Sequence, residues 1–179
     1  MSPGKRSRNP FKRAVSVPAE VRARVDLRPG EKVLAGTRST DGSWLLGTRD
    51  ALLVVTSDAH TRIPWENVER ADWDGDENRL LVSEVGEFGR PRPEHVFAVS
   101  EPGLLLELVR ERVTASVVLQ RRVNVTGRRG FVVVARRAPK GDGGLAWAYE
   151  FDPGVDPDDP SVRALTEAAL ASAQEEIGA

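Results

Sequence analysis

From Glu31 to Val99 the apolar residues come in short runs cut by turn signals, and that punctuation limits the fold more than any other feature of the chain. No run there is long enough for a helix with a continuous apolar stripe, whereas each suits a strand. Lys32–Arg38 and Ser43–Thr48 flank Thr40-Asp41-Gly42, and Asp-Gly is a strong hairpin signal. After a turn at Arg49-Asp50, Ala51–Thr56 reads as an almost wholly apolar strand. His60–Ile63, Val68–Trp73, Arg79–Glu84 and His95–Val99 follow, separated by Ser57–Ala59, Pro64, Asp74-Gly75-Asp76 and the loop Gly86–Pro93. About seven short antiparallel strands at this spacing predict a sandwich or small barrel.

The period then changes. Ser100 is read as an N-cap with Glu101 and Pro102 in the first turn, and Leu104, Leu105, Leu108, Val109 and Val113 recur at helical spacing. A second β series follows: Val117–Thr126 and Phe131–Ala138 around the loop Gly127-Arg128-Arg129-Gly130, a further loop from Pro139 to Gly144, then the alternating Leu145–Asp152. Leu145, Trp147, Tyr149 and Phe151 fall on one face of that last strand. Asp159-Pro160 opens a closing helix to about Ile177, with Val162, Leu165, Ala169, Leu170, Ala173 and Ile177 apolar. The expected class is α+β, mainly antiparallel β. The parts are a basic arm over 1–17 read as disordered, a short helix and turn at 18–30, a β-barrel with capping helix at 31–115, and a β-β-β-α unit at 116–179.

Two stretches carry a resemblance. Gly42-Ser43-Trp44-Leu45-Leu46-Gly47-Thr48-Arg49-Asp50-Ala51-Leu52-Leu53-Val54-Val55-Thr56 resembles the second and third strands of the bacterial pleckstrin-homology-like (PH-like) domain, actinobacterial type, meeting at a T-x-x-x-L turn. Arg62-Ile63-Pro64-Trp65-Glu66-Asn67-Val68 is similar to its I-P-W-x-x-V stretch. The resemblance covers about residues 31–115 and implies a split barrel of two nearly orthogonal antiparallel sheets closed at one corner by the helix. Members that bind phosphoinositides carry several basic residues between the first two strands. Here Arg38–Ser43 holds one arginine and one aspartate, so the resemblance does not bring that ligand with it.

Composition removes several classes of chemistry. With no cysteine, disulfides, thiolate metal sites and a cysteine nucleophile are excluded. No apolar run approaches the roughly 20 residues needed to cross a bilayer, and Met1–Ala14 is basic without the apolar core of a secretory signal, so a cytoplasmic location is expected. The two histidines, His60 and His95, have no ligand-spaced partner in sequence and are read as ordinary rather than catalytic or metal-binding. Neither a G-x-S-x-G elbow nor a P-loop nor a G-x-G-x-x-G after a strand is present. Asp72–Glu77 spaces carboxylates alternately, but the EF-hand glycine and bidentate glutamate positions hold Glu77 and Ser83, so a hairpin turn is expected. Trp44, Trp65, Trp73 and Trp147 lie within apolar patterns and are assigned to the core. No cofactor, no metal and no catalytic activity are predicted; an unrecognised hydrolase would need one histidine to meet a nucleophile.

Charge is unevenly distributed although the formal net charge is −1. Residues 1–30 hold eight basic side chains against two acidic ones, residues 119–151 seven against two, and residues 152–179 one against seven. The candidate partner-binding residues are Arg121, Arg122, Arg128, Arg129, Arg136 and Arg137. With the loop centred between Arg128 and Arg129, Arg121 and Arg136 should face each other, and like charges across a strand pair need a neutraliser. It could be an anionic ligand, to which arginine is suited, or the acidic C-terminal helix folded back on the sheet. The −6 segment that follows at once favours the helix. The function expected is a non-catalytic binding or scaffold module for a protein or an anionic surface. The alternative is a nucleic-acid-associated protein using the basic arm at residues 1–14 with the hairpin.

Overall fold

The computed structural model describes residues 16–86, 92–139 and 144–178. The arm over 1–15, the centre of the Gly86–Pro93 loop, and Lys140 with its neighbours lie outside them. The chain is α+β, with antiparallel strands in three sheets, and divides into two compact units at residues 114 and 115.

In the first unit, a short helix α1 (Ala19–Arg22) precedes β1 (Val33–Arg38), β2 (Trp44–Thr48), β3 (Ala51–Val55) and β4 (His60–Pro64), a meander that forms one four-stranded sheet. A single 3₁₀ turn, Trp65–Asn67, leads into a three-stranded meander of β5 (Val68–Asp74), β6 (Arg79–Glu84) and β7 (Glu94–Ala98). The sheets are tied where the Thr40 N–H donates to the Ala98 carbonyl at 2.8 Å and the Ser39 hydroxyl to the same oxygen at 2.9 Å. The Asp74 carboxylate at the end of β5 accepts the N–H groups of Asp76 and Glu77, so the alternating carboxylates of Asp72–Glu77 belong to a hairpin, as expected.

Helix α2 (Leu105–Ser116) turns its apolar face inward. Leu45 and Leu52 of the first sheet, Leu80, Val82 and Phe97 of the second, and Leu105 and Val109 of the helix share one core with Trp65. Each such aliphatic side chain contributes about 1.5–3 kcal/mol by leaving water. Gly47 admits the helix: a Cβ there would stand 2.5 Å from Leu108 Cδ2 and 3.0 Å from Leu105 Cδ1. The helix starts later than the Ser100 N-cap predicts. Gly103 has φ +55°, outside the helical range, and the Glu101 carbonyl accepts the Thr37 hydroxyl, so the chain turns once before α2 begins.

A second core lies on the other face of the first sheet. Val17, Val21 and Val25 pack on Leu46, Ala51, Leu53 and Val55. Val17 is therefore buried and not part of a disordered arm; β2 and β3, covered on both faces, read as unbroken apolar runs for that reason.

The second unit is β8 (Val117–Thr126), β9 (Arg129–Arg137) and β10 (Leu145–Phe151), in the order β10-β9-β8, with α3 (Pro160–Ile177) on one face. Ala169 and Ala173 of α3 pack against Phe131 and Val133, with Trp147, Tyr149 and Phe151 around them. Asp159 caps α3 by accepting the Ser161 N–H at 2.7 Å, and Gly178 closes it in the left-handed region at φ +67°. Among the described residues no helix is long and apolar enough to cross a membrane.

Candidate functional site

The β8–β9 hairpin is tighter than the sequence predicts. Thr126 pairs with Arg129, leaving Gly127-Arg128 as a two-residue turn, and the register shifts again between Asn124 and Thr126. Arg121 therefore lies against Val133, Arg122 against Val132, and Arg136 against Val117. The expected opposition of Arg121 and Arg136 does not occur, because the turn is centred between Gly127 and Arg128, one residue earlier than expected, and that offset and the bulge together move the pairing by three residues.

The six candidate arginines go to different places. Arg121 shares a face with Val133 and reaches α3, donating to the Ser172 hydroxyl at 2.6 Å and pairing with Glu176. The acidic helix thus neutralises this one arginine. Arg136 is 3% exposed and donates to the Ser116 hydroxyl at 3.0 Å, so it belongs to the interior and cannot serve a surface. Arg137 pairs with Leu145 at the end of the strands remote from the turn and is half-buried.

Arg122, Arg128 and Arg129 gather at the turn. Arg122 forks onto Asp152, with Nη1 donating to Oδ1 at 3.0 Å and Nη2 to Oδ2, and Nη2 also donates to the Arg128 carbonyl at 2.8 Å. The Gly130 N–H donates to Asp152 Oδ2 at 2.9 Å. Hydrogen bonds from Arg122 and from the Gly130 N–H, with the charges of Arg122 and Arg129, hold the Asp152 carboxyl below the usual carboxylate range. Arg128 and Arg129 are exposed. The three guanidinium groups and the Asp152 carboxylate together carry a net charge of +2.

Gly130 is required here. A Cβ would fall 1.8 Å from the Val123 carbonyl oxygen, so only glycine lets β9 approach β8 at the turn. Sequence reasoning missed Asp152, which it placed in the acidic tail. The available signal was its position directly after the alternating β10, two residues beyond Glu150, which fixes its face.

Elsewhere, His95 Nε2 meets Glu84 Oε1 at 2.7 Å across neighbouring strands, and His60 Nε2 lies 3.9 Å from Asp26. Among the described residues there is no group of three or more His, Cys, Asp or Glu that could hold a metal. A groove of about 480 Å³ in the first unit is lined by Arg24, Arg38, Asp41, Trp44 and their neighbours. Arg24 is spent on the carbonyls of Thr56 and Ser57, and Arg38 is balanced in sign by Asp41. The Asp41 carboxyl is held low by hydrogen bonds from the Ser43 hydroxyl and N–H.

Sequence reasoning also missed a buried ionic knot at the corner of β2, β3 and β4. Glu31 accepts Arg62 Nη1 at 3.1 Å and Nη2 at 2.9 Å, the Arg28 N–H at 3.0 Å, and the Thr48 hydroxyl. Both carboxylate oxygens of Glu31 are taken up within the fold, so the knot serves architecture rather than a ligand. Compared with protein-family models, with characterised proteins and with solved structures, the chain matches none.

Proposed function

We propose that the chain is a non-catalytic binding module whose arginine hairpin tip docks an anionic group of its partner. The observation that carries this is the convergence of Arg122, Arg128 and Arg129 at one exposed turn around the Asp152 carboxylate. Guanidinium groups form paired, directional hydrogen bonds to oxyanions, and an exposed site loses little on desolvation. Residues 31–115 act in this reading as a PH-like split-barrel framework. The 4 + 3 strand order and the core shared by both sheets with α2 support it, together with the joining of the two motif stretches through Trp65 and Thr48.

Retention of the full-length chain on immobilised heparin tests the proposal. Arg128→Ala with Arg129→Ala should lower the salt concentration of elution, and the wild-type chain should elute earlier as salt rises. A wild-type chain that passes through at low salt, or a double variant that elutes with it, removes the reading. If elution shifts and duplex DNA competes better than an anionic protein surface, the nucleic-acid alternative replaces a protein partner.

A further inference from the structure

The carboxylate of Asp152 sits where a ligand anion would. It collects the Arg122 fork and the Gly130 N–H, and the charge of Arg129 helps to keep it ionised. A side-chain fork beside a main-chain N–H is a common way for proteins to hold an oxyanion.

Each of these donors also has an anchor other than Asp152. The Arg122 guanidinium is anchored to the Arg128 carbonyl at 2.8 Å. Gly130 is fixed in the ladder opposite Asn124, against a carbonyl that leaves no room for a Cβ. Along β10 the main chain of Asp152 donates to the Gly130 carbonyl at 2.9 Å, but the Gly130 N–H returns to the Asp152 side chain instead of to a ladder carbonyl. That N–H is a donor the sheet has not consumed. The carboxylate covering it is partly open to solvent, with 27% of the side chain exposed, and is followed by Pro153-Gly154 at the start of a loop.

We infer that Arg122, the Gly130 N–H and the flanking Arg128 and Arg129 form a phosphate-binding site, occupied in the free protein by the chain's own Asp152 carboxylate. The inference rests on the reading of the tip as an anion-binding surface and adds to it the ligand class and an internal competitor. Charge selects phosphate over a carboxylate. A ligand carboxylate would replace Asp152 like for like and leave the three guanidinium groups with a surplus of two charges, whereas a phosphate dianion lowers that surplus to one and uses more donors at once. The bound ligand turns Asp152 outward, and the anchored guanidinium and N–H stay in place.

Titration of the full chain with inorganic pyrophosphate, followed at the Gly130 amide by NMR, tests this. Pyrophosphate should shift that amide, and Asp152→Asn, which keeps an acceptor oxygen but removes the charge, should lower Kd about fivefold. Asp152→Ser should do the same if the asparagine variant folds poorly. Adding Arg122→Ala should abolish the gain, because the fork rather than general charge supplies it. An unmoved Gly130 amide, a Kd unchanged in both Asp152 variants, or a gain that survives loss of Arg122 overturns the inference. Heparin retention that still depends on Arg128 and Arg129 in that event shows that the site assignment alone has failed. Loss of that dependence removes the broader reading as well.

Discussion

The indole Nε1–H of Trp65 donates to the main-chain carbonyl of Thr48 at 3.0 Å, across seventeen residues of sequence. Thr48 in turn accepts the N–H groups of Asp50 and Ala51 on its hydroxyl at 3.1 and 3.0 Å, which shapes the β2–β3 turn. The stretches that resemble the T-x-x-x-L and I-P-W motifs therefore meet at one corner, and the threonine and the tryptophan have a physical reason to be what they are.

Trp65→Phe should cost about 2–4 kcal/mol. Trp65 is fully buried, so the smaller ring leaves a void, and the Thr48 carbonyl loses its donor. Urea denaturation monitored by circular dichroism measures it; a loss under about 1 kcal/mol would mean the corner relaxes around the smaller ring.

Glu31 gives the first unit an acid limit. Burial by itself would raise the Glu31 pKa, but hydrogen bonds from Arg62, Thr48 and the Arg28 N–H prevail and bring it to about 2 from 4.5. A carboxyl with a depressed folded-state pKa stabilises fully above its unfolded value. That contribution, on the order of 3 kcal/mol, should fade as pH falls from about 4.5 through about 2. Glu31→Gln should remove this dependence and, by leaving Arg62 without its charge partner, destabilise the protein by about 3–5 kcal/mol at neutral pH. Melting curves for both proteins between pH 7 and pH 2 check the sign.

Arg136 and Arg128 separate folding from binding. Arg136→Ala removes a buried side chain and should cost about 2 kcal/mol or more. Arg128→Ala, at an exposed turn, should leave the melting temperature nearly unchanged while weakening heparin retention. Equal effects of the two substitutions on stability would contradict the burial of Arg136.

Gly130→Ala should be severe for its size. Its methyl group meets a main-chain oxygen, not a flexible side chain, so the turn must open. A loss of about 3 kcal/mol or more is expected, together with loss of the Gly130 amide's protection from exchange. Gly144→Ala is the control, since a Cβ there meets nothing within 4 Å.

The elements were largely legible in the sequence, since period and turn chemistry are local. Strands such as Arg79–Glu84 and Val117–Thr126 and the closing helix to Ile177 lie where their patterns place them. What escaped was set by geometry between elements. The hairpin register turned on a bulge between Asn124 and Thr126 and on a turn centred one residue earlier than expected, and that shift sent Arg121 to α3 and Arg136 inward. Asp152 and Glu31 were invisible as partners because Arg122 and Arg62 lie about thirty residues from each in sequence. The helix start failed for a local reason, a left-handed glycine between Pro102 and Leu104.

The two-sided cover over β2 and β3 determines where solvent can enter. With α2 and the second sheet on one side and the segment bearing Val17, Val21 and Val25 on the other, the amides of Leu45, Leu46, Leu52 and Leu53 have no face open to water. Opening them requires loss of both cores, so their deuterium uptake should track global unfolding, while the edge strands β1 and β4 exchange through smaller local openings.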